Sequence, residues 1–190
     1  YNEKIFWIWL GTGVNFASAN QTLPGASSVN YSAINGSKFM AKAGFWGSDQ
    51  LGLDLGYRNT TGAVKSSAST TVTNGRYNWT TMSAEVLWRS PDRNPLRDGQ
   101  WSWRFGIQQH EMPFLVPANA TSVNMSQNSL TMASFGFEYK KMVREKLRIE
   151  WLLRYQRPMA SSNSLGTDFN VRPRFSIDGS VGAVYEVCKK

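Results

Sequence analysis

The segment Leu51-Gly52-Leu53-Asp54-Leu55-Gly56-Tyr57-Arg58 carries an apolar side chain at every second position and a small or charged residue between. Successive side chains of a strand point to opposite faces. The segment therefore reads as a strand with one bulky apolar face, Leu51, Leu53, Leu55 and Tyr57, and one face of Gly52, Asp54, Gly56 and Arg58.

The same rule recurs along the chain. Phe6, Ile8, Leu10, Val14 and Phe16 oppose Gly11, Gly13 and Asn15, and Phe39, Ala41, Ala43 and Phe45 oppose Lys38, Lys42 and Gly44. Met82, Ala84, Val86 and Trp88 alternate with Ser83 and Glu85, and Trp101, Trp103, Phe105 and Ile107 with Ser102, Arg104, Gly106 and Gln108. Further on, Ala133, Phe135, Phe137 and Tyr139 alternate with Ser134, Gly136 and Glu138. Leu147, Ile149, Trp151, Leu153 and Tyr155 alternate with Arg148, Glu150 and Arg154. The last set is Phe175, Ile177, Val181, Ala183 and Tyr185 against Arg174, Ser176, Asp178 and Ser180. The pattern predicts eight strands, at 4–16, 34–47, 51–58, 77–89, 101–111, 129–140, 147–156 and 170–187, in one all-β domain spanning 1–190.

The expected connections alternate in kind. Those after strands two, four and six are short or charged: Ser48 to Gln50, Ser90 to Gly99, and Lys141 to Glu145. Residues 17–32, 59–76, 112–128 and 158–168 are rich in Ser, Thr, Asn, Ala and Gly, carry Pro24, Pro113, Pro117 and Pro158 as breakers, and read as long loops.

Composition excludes several classes. A lone Cys188 cannot form an internal disulfide, and one His with one Cys cannot build a His/Cys zinc site. The longest apolar run, Ile5 to Leu10, is far short of the roughly 18 residues that a membrane-crossing helix needs. A net charge of +8 with 13% aromatics resembles a single-stranded nucleic-acid binder in total. The charges and the aromatics fall on opposite faces, however, so no accessible surface interleaves them, and nucleic acid is not an expected partner.

Alternation alone fits a soluble barrel with its apolar face inside or a membrane barrel with that face outside. Volume decides. An eight-stranded barrel has an interior just wide enough to be filled by side chains, and the Phe, Trp, Tyr, Leu, Ile and Met face would overfill it. The Gly and Ser face with paired charges fits. Closure follows, because an open edge in lipid leaves N–H and C=O groups unpaired at several kcal/mol each.

With that arrangement the sequence resembles the small eight-stranded outer-membrane barrels of Gram-negative bacteria, among them the transmembrane domain of outer membrane protein A. The likeness is one of architecture over nearly the whole chain. It implies a closed antiparallel eight-stranded transmembrane β-barrel, monomeric and without a cofactor, integral to the bacterial outer membrane. The short turns would face the periplasm and the long loops the outside. Implied partners are outer-membrane lipid and lipopolysaccharide, the barrel assembly machinery, and a tethered periplasmic domain. The final strand departs from the family, whose members typically end on an aromatic residue; here Tyr185 is followed by Glu-Val-Cys-Lys-Lys. With the missing initiator Met, this leads to the expectation of a barrel cut from a longer envelope protein.

Two groups of residues are the candidate sites. Arg58, Glu85, Arg104, Glu138, Arg148, Glu150 and Arg154 are expected to form a charge network in the lumen, with Lys38, Lys42, Asp54, Arg172, Arg174 and Asp178 beside them; buried charges persist where they are paired. Phe45, Trp88, Trp101, Trp103, Tyr139 and Tyr185 are expected to form an aromatic girdle next to the short turns. No catalytic or metal residue is assigned. His110 and Glu111 are neighbours and point to opposite faces, so Glu111 cannot orient His110 as in a triad. Some eight-stranded relatives modify lipid A with a His and a Ser two residues apart, but position 112 is Met. The expected role is a non-enzymatic membrane anchor that displays surface loops. A narrow gated pore, an outer-leaflet lipid enzyme and a soluble calycin-type binder are the alternatives.

Overall fold

The structure is a computed structural model that describes residues 6–21, 29–66, 71–73, 75–89, 99–117, 122–163 and 174–185. Arg172, Cys188, Lys189, Lys190, the charged stretch 90–98 and the expected strand ends at 4–5, 170–173 and 186–187 lie outside these residues.

The described residues are all-β. The strands are β1 (Phe6–Gln21), β2 (Val29–Trp46), β3 (Leu51–Ser66), β4 (Thr71–Thr73), β5 (Arg76–Arg89), β6 (Gln100–Pro117), β7 (Ser122–Arg144), β8 (Leu147–Asn163) and β9 (Ser176–Tyr185). Eight of them pair antiparallel in one sheet, in the order β1-β2-β3-β5-β6-β7-β8-β9, and β4 pairs parallel with β7 through Thr71 to Thr73 and Ser122 to Asn124. No pairing joins β1 to β9 among the described residues, so the sheet is curled into an open half-barrel.

Several stretches that read as loop are strand. Residues 59–66 continue β3 opposite β2 and β5, and Met112 to Pro117 pair residue for residue with Val123 to Asn128 in a long β6–β7 hairpin. Strand propensity depends strongly on context, so a neighbouring strand that supplies the register can hold even Ser- and Asn-rich stretches in the ladder, and composition does not reveal that. Pro113 and Pro158 lie within strands, Pro158 beside a register shift at Thr131/Met132 that accommodates it. At the opposite end β7 runs on to Arg144 and turns in two residues, Glu145 and Lys146, so the connection expected at 141–145 is shorter than its charge suggested. The β2–β3 turn is pinned by Ser48, whose Oγ accepts from Gln50 N at 3.3 Å and Leu51 N at 3.0 Å.

The two faces of the sheet differ in the way the alternation demands. Leu55, Val86, Ile107, Phe135 and Leu153 point outward from the convex face and are exposed, as are Ile8, Leu10 and Val181 near the edges. The concave face buries Asp54, Glu85, Ser102, Arg104, Gln108, Ser134, Arg154 and Gln156.

Candidate functional site

The centre of the concave face is a charge layer built around Glu85, which is 1% exposed. Arg104 Nε, on the neighbouring strand β6, donates to Glu85 Oε2 at 2.8 Å. From β8, Arg154 Nη2 donates to the same oxygen at 2.9 Å, while Arg154 Nε lies 2.8 Å from Oε1 without being aimed at it. Gln108 Nε2 and the Ser134 hydroxyl each donate to Oε1 at 3.2 Å. Side chains of three strands, β6, β7 and β8, therefore converge on one carboxylate of β5.

Arg104 carries the layer sideways. Its Nη2 is paired with Asp54 on β3, and its Nη1 donates to Glu138 on β7 at 3.3 Å. Glu138 also meets Lys140 Nζ at 3.1 Å, two residues along on the same face. Arg154 Nη1 donates to Asp178 on β9 at 3.0 Å. Every guanidinium and carboxylate of the layer is thus paired, which is the condition for keeping charge in a buried setting.

The expected network residues do not all meet. Glu85, Arg104, Glu138 and Arg154 belong to the layer. Arg148 and Glu150 pair with each other at 2.6 Å, half-buried nearer the short-turn end, as a separate unit. Arg58 sits above the layer and donates from Nη2 to Thr81 Oγ1 at 3.3 Å. Arg174 is exposed in a bend before β9. Asp54 and Lys140 are the partners that complete the layer.

The concave face also holds large apolar residues that strict alternation hides. Trp7 and Trp9 pair opposite Gly44 and Lys42, which puts them on the inner face. Trp7 and Trp46 lie with ring centroids 6.1 Å apart, and the Arg89 guanidinium covers Trp46 at 3.9 Å. Gly52 makes room for this cluster, since a Cβ there would come 2.8 Å from Trp46 Cε3. Leu87 and Leu152 are buried on the same face, and Tyr77, Leu130 and Met132 are buried toward the long-loop end. The charge layer is sandwiched between these apolar groups.

On the convex face Phe45, Trp88, Trp101, Trp103 and Tyr185 are exposed and Tyr139 is half-buried. Trp101 contacts Tyr139 with centroids at 4.7 Å and Trp151 edge-on at 5.0 Å, and Trp103 stacks on Phe135 at 5.6 Å. Trp151 and Phe137 join this aromatic patch of β6, β7 and β8, with centroids 5.2 Å apart.

Above the layer, toward the long-loop end, lies a cavity of about 350 Å³ whose walls include Lys38, Arg58, Trp79, His110, Gln156 and Asp178. His110 is 5% exposed and its Nδ1 is 3.2 Å from Thr81 Oγ1 on β5. Glu111 is on the opposite face, so no acid–base pair forms. Among the described residues no cluster of His, Cys, Asp and Glu could hold a metal ion, and no helix is long and apolar enough to cross a membrane.

No family model, no curated protein and no solved structure matches this chain.

Proposed function

We propose that this chain is the barrel of an integral outer-membrane protein, closed in lipid by pairing of β1 with β9, whose role is to anchor and to display the long-loop end at the cell surface. The observation that carries the reading is the convex face: exposed aliphatic and aromatic residues on every long strand, from Ile8 on β1 to Val181 on β9, the latter 83% exposed. In water so continuous an apolar surface is an aggregation liability, because soluble monomers rarely expose patches beyond a few hundred Å². In a bilayer it is the lipid-facing belt, and the Trp101, Tyr139 and Trp151 patch beside the short turns fits an interfacial girdle.

Closure is supported by the two free edges. Lipid offers their N–H and C=O groups no partners, so an open sheet is strongly disfavoured there. Their inner faces are complementary in size: β1 supplies Trp7 and Trp9, and β9 supplies Ser176, Asp178, Ser180 and Gly182, with open space around Gly182. Their outer faces are both apolar.

The paired charge layer favours the anchor over the pore. Glu85, Arg104 and Arg154 satisfy one another across the interior and leave no continuous row of hydratable groups of one sign. The test is extraction and gel migration. The reading expects the protein to leave membranes only with detergent and to migrate faster unheated than boiled; a protein recovered in aqueous buffer without detergent overturns it.

A further inference from the structure

The β7–β8 hairpin continues past its neighbour at the short-turn end. The ladder between β6 and β7 ends with Gln100 opposite Lys140, while that between β7 and β8 runs on to Arg144 opposite Leu147. Residues 141–144 of β7 thus extend about 13 Å beyond the start of β6, at the usual strand rise per residue. Lys141 has the parity of Phe135, Phe137 and Tyr139 and lies opposite Ile149, so it belongs to the convex face. Val143, the extra residue of the bulge between Met142 and Arg144, is 52% exposed.

The foot of this hairpin is cationic. Residues 141–146 carry Lys141, Arg144 and Lys146 against Glu145 alone. The flanking cations Lys140 and Arg148 are taken up by Glu138 and Glu150. None of Lys141, Arg144 and Lys146 has a salt-bridge partner among the described residues. Lys141 and Arg144 are exposed and Lys146 is half-buried.

Tyr139 is the next outward residue above Lys141, with ring centroids 4.7 Å from Trp101 and 5.9 Å from Trp151. Such aromatic rings settle at the headgroup level of a bilayer, and Lys141 is two residues, about 7 Å, further along the strand. A lysine stem beside Val143 and Ile149, the latter 40% exposed, buries its carbons and leaves the ammonium among lipid phosphates. Arg144 adds a planar guanidinium that suits a phosphate. Exposed apolar side chains interleaved with unpaired cations fit a charged lipid surface, whereas a soluble acidic partner would meet the cations alone. We propose that the foot of the β7–β8 hairpin is a docking surface for anionic phospholipid headgroups, held by Lys141, Arg144 and Lys146. The inference rests on the membrane reading above and names the lipid that this sector of the convex face selects. Its residues lie on β7 and β8 and their turn, so it is independent of how β1 and β9 are joined.

The experiment places one fluorophore on the whole chain, at Ile149→Cys or at Leu55→Cys in the Cys188→Ser background, and inserts the protein into phosphatidylcholine vesicles. Nitroxide-labelled phosphatidylglycerol and nitroxide-labelled phosphatidylcholine are then compared as quenchers. At Ile149 the anionic lipid should be favoured at least about fivefold, the factor that one cation near an anionic surface supplies, and at Leu55 by no more than about twofold. Lys141→Gln, Arg144→Gln and Lys146→Gln together should bring the ratio at Ile149 close to one. Salt at about 1 M should do the same in the unaltered foot, because charges are then screened within about 3 Å. A ratio near one at Ile149 without these changes overturns the proposal, while quenching at Leu55 by both lipids keeps the membrane reading. A preference that the triple variant retains also overturns it, since the lipid is then held elsewhere on a basic chain. No quenching by either lipid at both positions means that the convex face is not in lipid, and overturns the membrane reading together with this inference.

Discussion

Glu85 on β5 and Arg154 on β8 stand three strands apart in the sheet, yet Arg154 Nη2 donates to Glu85 Oε2 at 2.9 Å. On a flat sheet that offset is about 14 Å, with both side chains rising perpendicular to it. The contact is made because the sheet curls, and it fixes how tightly: β5, β6, β7 and β8 wrap around one buried carboxylate. Arg104, with Asp54 and Glu138 on its other nitrogens, extends the same tie to β3. The polar layer is in this sense the core of the fold, with the apolar residues turned outward.

Glu85→Gln keeps the shape of the side chain and removes the charge that two buried guanidiniums share. The loss should be about 3–5 kcal/mol, the usual cost of taking one partner from a buried ion pair. Glu150→Gln, in the half-buried pair with Arg148, should cost no more than about 1 kcal/mol. Denaturant titration of the protein in lipid vesicles gives both numbers.

Ile107 is 53% exposed in the middle of the convex belt. Ile107→Arg should destabilise the inserted protein by about 2–4 kcal/mol, and Gln109→Arg, one step nearer the long-loop end, by about 1 kcal/mol or less. In a soluble protein with this face in water both changes would be near neutral. Comparing the two variants in the same vesicle assay separates the cases.

Planar bilayers should register no steady ion current for the wild type, because paired side chains span the interior. Replacing Asp54, Glu85 and Arg104 by Ala together removes the paired set and should open measurable conductance. A wild type that conducts as well as the triple variant would return the pore reading to first place.

Closure makes a covalent prediction. In a Cys188→Ser background, cysteine pairs drawn one from Ile8 to Val14 and one from Ile177 to Tyr185 should cross-link on mild oxidation in one register only. Disulfides need Cα atoms within about 7 Å, so unpaired edges yield none.

Much of this fold was legible in the period-two alternation. The faces of Leu51 to Arg58, Trp101 to Gln108 and Ala133 to Glu138 follow directly from it, and so do the candidate charges Glu85, Arg104, Glu138 and Arg154. What stayed hidden has physical reasons. Trp7 and Trp9 share the parity of Gly11 and Gly13 and so fall on the inner face, but within the unbroken apolar run Ile5 to Leu10 nothing marks them as inner residues, and pairing with Gly44 and Lys42 shows it. Residues 122–128 carry only Val123 and Met125 as apolar residues among Ser, Asn and Gln, so their alternation is too weak to stand out, and the composition mimics a loop. The Trp79 and His110 cavity joins residues of β2, β3, β5, β6, β8 and β9, a combination set by sheet order and curl that no local spacing encodes.

The central claim is that the apolar face meets lipid, and collisional relaxation of nitroxide spin labels in proteoliposomes tests it most directly. Labels would be placed one at a time at Leu55, Ile107 and Leu153 in the Cys188→Ser background. The account predicts that oxygen relaxes these labels efficiently while a water-soluble nickel complex barely reaches them. Efficient relaxation by the nickel complex at all three positions would mean that the convex face is in water, and the membrane reading would be wrong.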